Sequence, residues 1–252
     1  MPDEVVNATP WPDGPRYMEW VGATGWRGWV LFKLRSADWY VDRLEEVGQR
    51  LGFDRYIGVE MALDGALAAI SAAFDATVGA VIEAAEEFED QAARDRGEAI
   101  PKRIEQHKYN WRHARGKLAL ATEIGVDTSK IVEAVNSALE EDPIGWLTRV
   151  RRLRNATIHN NTLARHIDVN VGQPTAQTVW GISVGNRGED PVEYLRTARQ
   201  AVELLVLPML DACDHFAPLG MATSGAIHRD RPTPVILAPG NELETLATRL
   251  SD

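Results

Sequence analysis

The feature that most constrains this chain is the stretch from Arg55 to Asp90, whose pattern predicts one long α-helix. Its alanines (Ala66, Ala68, Ala69, Ala72, Ala73 and Ala76) favour helix and are small enough to let a second helix approach closely. The most apolar part, Met61 to Ala85, is interrupted by Asp64, Asp75 and Glu83. Three ionisable groups make a membrane span costly without special partners, so the segment reads as a helix buried among other helices.

The remaining sequence supplies those helices. Asp38 suits an N-cap for a helix from Trp39 to Leu51, in which Tyr40, Leu44, Val47 and Leu51 recur at steps of three and four. The charged segment Gln91 to Ala99, with Gly97, suits a loop or frayed helix end. Pro101 then suits the first turn of a helix to about Ile124, closed by Gly125. Asp127 caps a short helix through Leu139. Asp142-Pro143 opens another by the same cap-then-proline logic, through Trp146, Leu147, Val150 and Leu153 toward His159. Asp190-Pro191-Val192-Glu193 joins a cap, a proline and a third-position carboxylate, and the helix it opens reaches about Phe216 with a bend near Pro208.

Between these last two helices the pattern changes to Ile167-Asp168-Val169-Asn170-Val171 and Val179-Trp180-Gly181-Ile182-Ser183-Val184, an alternation that predicts a β-hairpin at about 165–186. Residues 1–36 form a Trp-rich arm in which Val30 to Leu34 suits an extended segment and the tryptophans pack over the core. Residues 218–252 are Pro/Gly-rich and predict a loosely ordered tail with a short helix near Glu242 to Leu250. The fold expected is mainly α, an up-and-down helical bundle over 37–217 with a small β-hairpin insertion.

Composition narrows the setting. A chain of 252 residues with 44% hydrophobic and 25% charged residues is an ordinary globular protein. Its single cysteine, Cys213, lies in a helical pattern, allows no intrachain disulfide or CxxC knuckle, and fits a reducing compartment as a small buried hydrophobe. Met1 to Pro15 is acidic and lacks the basic-then-apolar order of a signal peptide, so the expectation is a cytoplasmic protein with no membrane partner.

A net charge of −10 argues against a protein that coats nucleic acid nonspecifically. The distribution is uneven, however: Pro101 to His166 holds 12 Lys and Arg against 7 Asp and Glu, leaving 15 against 30 elsewhere. His107 and His113 sit in this basic stretch among Lys102, Arg103, Lys108, Arg112, Arg115 and Lys117, interleaved with Tyr109 and Trp111. A spacing of six does not put two imidazoles on one helix face, so no zinc site is expected. Cations among aromatics suit a phosphate backbone, although a solvated face paired with the protein's own acids is the commoner explanation.

No GxGxxG, Walker A, GxSxG, HExxH or EF-hand pattern is present. The carboxylate runs Glu86-Glu87 with Glu89-Asp90 and Glu140-Glu141-Asp142 fall where solvated helix ends are expected, and neither metal nor organic cofactor is implied. A metal-dependent enzyme built on those carboxylates is the least favoured of three readings.

The remaining constellation is Arg154-Asn155-Ala156-Thr157-Ile158-His159, at the end of a helix that already carries Arg149, Arg151 and Arg152. It resembles the motif of the HEPN family (higher eukaryotes and prokaryotes nucleotide-binding domains), in which an arginine is followed four to six residues later by histidine and a polar residue, often asparagine, follows the arginine. It is the only such pair in the chain in which asparagine follows the arginine, since Arg103 and His107 also stand four apart but Ile104 follows that arginine; it closes a predicted helix, and another long helix follows the insertion. The resemblance covers Pro143 to His159 closely and Asp38 to Phe216 in plan.

What it implies is a metal-independent endoribonuclease, toxin-like or an effector of phage defence, that works as a homodimer and answers to an antitoxin or other regulatory protein. The implied catalytic residues are Arg154 and His159 with Asn155 in support, and Arg151, Arg152, Lys108 and Arg112 would position RNA. The chemistry is coherent. An imidazole with an ordinary pKa near ~6.5 exchanges a proton with a ribose hydroxyl or leaving oxygen at neutral pH, and a permanent guanidinium steadies a phosphate. Positions five apart on one helix diverge by about 140°, a divergence that a dimer cleft relaxes. The alternative, from another class, is a non-catalytic helical module that binds a nucleotide or a protein.

Overall fold

A computed structural model describes residues 26–48, 53–158, 165–167, 180–184, 187–216 and 235–251. The protein is mainly α-helical. Helix α1 spans Trp26–Gly48 and α2 spans Phe53–Arg96. They are antiparallel neighbours: the Tyr40 ring of α1 lies across Gly65 of α2, and Val47 lies against Gly58. A Cβ on Gly65 would stand 2.4 Å from that ring and one on Gly58 would stand 2.7 Å from a Val47 methyl, so both glycines are needed for this approach. By length and composition α2 is apolar enough to cross a membrane, yet 78% of its apolar window is buried inside the bundle, as in the core helix of a soluble protein.

Two sequence expectations fail in α1. Val30 to Leu34 is helical, not extended, and Asp38 is a mid-helix residue, not a cap. The physical reason is that Val30, Leu34, Ala37, Val41 and Leu44, all buried, recur at steps of four and three straight through Asp38. A boundary at 36 therefore cuts a continuous helix; residues 1–25 of the expected arm lie outside the described residues.

Helix α2 outruns its expected end by six residues and stops at Gly97, which takes a left-handed φ of 68°. The Gly97 amide donates to the Arg94 carbonyl at 3.0 Å and the Glu98 amide to the Ala93 carbonyl at 2.9 Å, a Schellman closure. Pro101 opens no helix. Residues 101–109 run back along α2 as a strap with one 3-10 turn, Gln106–Lys108, before α3 (Trp111–Ala121) starts behind an Asn110 cap that accepts from the His113 amide at 3.1 Å.

After α3, Asp127 Oδ1 accepts from the Ser129 amide at 2.9 Å and opens α4, Ser129–Ala138. That backbone bond first, and then a hydrogen bond from the Ser129 side chain, hold the Asp127 carboxyl below its ordinary pKa. Asp142-Pro143, expected as a helix start, is instead a cis-linked turn between the bridged pair Glu141 and Ile144. Helix α5 begins three residues later than that proline, spanning Trp146–Ile158. Its entry is set by Gly145, where a Cβ would lie 2.4 Å and 2.5 Å from the Ser137 and Ala138 carbonyl oxygens.

Helix α6, Pro191–Phe216, starts where Asp190-Pro191 predicted and contains Pro208. Asp190 Oδ1 accepts from the Val192 and Glu193 amides at 2.8 and 3.3 Å. The core lies where α2 meets α1, α3, α5 and α6, with Leu67, Ile70, Phe74, Leu147, Leu205 and Met209 all but sealed. Cys213 is half-buried, its thiol donating to the Met209 carbonyl at 3.3 Å.

The insertion is a three-stranded antiparallel sheet, one strand more than expected: β2 (Arg165–Ile167), β3 (Trp180–Val184) and β4 (Arg187–Glu189), with Arg165 opposite Ile182 and Val184 opposite Arg187. Asp168 to Val171, expected in the first strand, lies outside the described residues. The tail is not loose over 235–251. Strand β5 (Val235–Ile236) pairs in parallel with β1 (Val126–Asp127), and α7 (Glu242–Ser251) buries Leu243 and Leu250 in the main core.

Candidate active site

Helix α5 carries the motif. Trp146, Leu147 and Val150 are buried and define its inner face. Arg154 follows Val150 by four residues and Leu147 by seven, so it falls on that same face; it is half-buried, with its Nε sealed from solvent. Asn155, one residue on, is exposed on the adjoining side. His159, one residue past the helix end, lies outside the described residues.

The flanking cations are engaged. Arg151 forms an ion pair with Asp75 of α2 and rests its guanidinium 5.5 Å from the Phe74 ring centre. Arg152 pairs with Glu141 in the turn before the helix. Arg149 Nη1 donates to the Leu250 carbonyl at 2.9 Å, fixing α7 to the flank of α5.

Lys108 pairs with Glu105 at 2.7 Å, and Arg112 is exposed. His113 is spent on structure, with Nδ1 3.0 Å from the Lys108 carbonyl. His107 lies 3.4 Å from Glu105. Trp111, next to Arg112, donates from Nε1 to Asn136 Oδ1 at 2.8 Å and approaches Phe74 to 6.4 Å between ring centres. Phe74 therefore stands between Trp111 of α3 and Arg151 of α5, and two basic stretches some forty residues apart in the chain meet at one place on α2.

The acidic run on α2 has a use that sequence reasoning missed. Glu86 and Asp90, expected to be solvated, are buried, because the strap lies over them. The Ile104 amide donates to Glu86 Oε1 at 2.7 Å, Arg103 donates to Asp90 Oδ2 at 3.0 and 2.6 Å, Gln106 donates to Glu83 at 2.9 Å, and Lys117 pairs with Glu89. Tyr109 also reaches Glu83, at 3.5 Å; burial first, then the Glu83 and Glu86 charges, push its phenol up to about 12. The signal was a spacing of three and four, Glu83, Glu86 and Asp90, which puts carboxylates on one stripe. Glu87, Glu140, Glu141 and Asp142 are exposed as expected, and among the described residues no three His, Cys, Asp or Glu side chains gather to hold a metal.

A recess of about 200 Å³ between α1 and α6 is lined by Asp38, Asp42, Arg196, Arg199 and Gln200. Its charges are compensated: Arg199 Nε lies 2.6 Å from Asp38 Oδ1, and Arg196 lies 2.5 Å from Glu45. Burial raises the Asp38 pKa against the pull of Arg199. No family model, no curated protein and no solved structure matches this chain.

Proposed function

We propose that the protein is a metal-independent endoribonuclease of HEPN type, acting as a dimer, with Arg154 and His159 as its catalytic pair and Asn155 in support. The observation that supports the reading is the approach of Trp111 of the basic α3 segment and Arg151 of the motif helix to the same buried Phe74 ring, which brings the two basic segments to one place on α2. The ion pairs there are no bar to it. Arg152 and Lys108 are more than half exposed and Arg151 about a third, and pairs of that kind are worth roughly 0–1 kcal/mol, so a polyphosphate can displace the protein's own carboxylates.

In the reaction the ribose 2′-oxygen attacks the adjacent phosphorus, its proton passes to a base, and the bond from phosphorus to the 5′-oxygen breaks. That oxygen leaves with a proton from an acid, and the other fragment ends in a 2′,3′-cyclic phosphate. His159 exchanges the protons and Arg154 steadies the charge that builds on the phosphate. A toxin-like or phage-defence role with an antitoxin or regulator as partner follows from the family resemblance.

The test is incubation of wild type, Arg154→Ala and His159→Ala with total and transfer RNA in EDTA, reading cleavage and end chemistry. Wild type should cut and leave cyclic ends, and each variant should lose roughly 10²- to 10⁴-fold. A second reading, a non-catalytic nucleotide- or protein-binding module, is favoured by the pairing of Arg151, Arg152 and Lys108 with the protein's own acids. It requires that His159→Ala leave every activity intact.

A further inference from the structure

Along α1, Trp29, Phe32, Ser36, Trp39 and Arg43 follow one another at steps of three and four, so they share one face. It is not the core face. Relative to the line where Tyr40 and Val47 touch α2, these residues lie opposite Leu34, Ala37 and Val41. On α2, Ile57 and Met61 likewise lie opposite Val59, Ala66 and Ile70 across the Gly58–Gly65 line, and Ala68 and Ala72 continue that strip half-exposed. The two helices thus turn a joint apolar face outward.

The expectation that the tryptophans of the arm pack over the core fails for Trp29. Trp29 is 48% exposed, Phe32 44%, Trp39 49%, Ile57 50% and Met61 67%. Aromatic side chains of ~150–250 Å² each, exposed to this degree, leave on the order of 500 Å² of apolar side chain in water. The largest apolar patch on a monomer is commonly ~300–600 Å² and often functional, and a standard interface buries roughly 800 Å² per partner, a size this strip approaches together with its rim.

We infer that the outer face of the α1/α2 hairpin is a self-association surface whose occupant is the same face of a second copy of this chain. The charge pattern selects that occupant. Lys33 Nζ lies 4.4 Å over the Trp29 ring and Arg43 Cζ lies 5.2 Å over the Trp39 ring, so a cation stands near each end of the strip. Antiparallel pairing about a two-fold axis at Ser36 sets the Trp29 end of one copy against the Arg43 end of the other, and Trp39 against Lys33. Each ring then meets a second cation in a water-poor setting.

Ser36 is small and its hydroxyl is turned back onto the Phe32 carbonyl at 2.8 Å, which permits close crossing at the axis. Two hairpins joined this way make a four-helix bundle. The pairing bears on the dimer of the ribonuclease reading but rests on this exposed face alone.

Sedimentation equilibrium of the full chain should give twice the 27.9 kDa chain mass, falling to one chain mass in Trp39→Glu/Met61→Glu with an unchanged far-UV spectrum. Should that variant fold poorly, Ser36→Cys in a Cys213→Ser background should link covalently on mild oxidation, while Glu133→Cys on exposed α4 should not. A wild type at one chain mass at every concentration overturns the pairing, and so does a double variant that stays dimeric. A monomer whose tryptophan emission is quenched by single-stranded RNA assigns the strip to nucleic acid; one quenched by a soluble quencher only after removal of residues 1–25 assigns it to that segment, and either result overturns the pairing. RNA cleavage read on the same samples separates the two proposals: a wild-type dimer that does not cut retains the pairing and sinks the ribonuclease, and a double variant that stays dimeric and cuts retains the ribonuclease and sinks the pairing.

Discussion

The two halves of α2 treat charge and apolarity in opposite senses. In the first half Ile57 and Met61 are bare to solvent; in the second, Glu86 and Asp90 are 3% and 4% exposed. The difference lies in what covers each half. The strap of residues 101–109 returns along the second half and brings an amide, a guanidinium and an amide side chain to the carboxylates, so each buried charge is met by donors. No described segment returns along the outer face of the first half. Glu86 Oε1 and Asp90 Oδ2 are thus met by donors although Glu86 Oε2 is not, whereas Met61 on the same helix faces solvent.

That contrast can be broken most sharply at Glu86. Glu86→Ala removes the acceptor of the Ile104 amide in a sealed site and should cost about 2 kcal/mol, seen as a lower urea midpoint together with faster amide exchange over 103–109. An unchanged midpoint would mean that the strap is not anchored there.

A smaller effect tests the burial of Tyr109 beneath the same strap. Its phenol ionises near ~10 in the unfolded chain and at about 12 in the folded one. The neutral form therefore contributes its full share below the unfolded value, and that share is lost as pH rises through the folded one. Thermal midpoints compared at about pH 9 and about pH 11 should fall further in wild type than in Tyr109→Phe. Equal falls would place the phenol in water.

The smallest change is expected on the bare half. Met61→Gln should shift the unfolding free energy of the single chain by no more than about 0.5 kcal/mol, because its side chain already meets solvent. A loss of several times that under conditions where the chain is monomeric would mean the face is covered from within.

Much of this was legible. The long second helix, α6 with its cap, the last short helix and the mainly α class followed from periodicity and from local start signals. The limits show where an identical local signal met different surroundings. Asp190-Pro191 opens a helix because two free amides, those of Val192 and Glu193, lie within reach of the aspartate. Asp142-Pro143 does not, because α4 ends just before it and the backbone of Gly145 must first settle against the Ser137 and Ala138 carbonyls. Asp38 looked like a cap in one dimension and is an ion-pair partner of Arg199, 161 residues away.

For the candidate site, the sequence indicated the motif and the basic stretches, but not that Phe74 would join them nor that Arg154 would lie on the inner face of its helix. Those depend on which side of α2 each neighbour takes, and local spacing carries no record of it.

One bond has a consequence for the order in which the molecule becomes complete. Arg149 at the flank of the motif helix donates to the carbonyl of Leu250, 101 residues further on. A ribosome that has finished α5 must still make α6 and most of α7 before that carbonyl exists. The helix bearing Arg154 is therefore made well before the group that secures it, and a nascent chain holds its motif unfastened until α7 has been made.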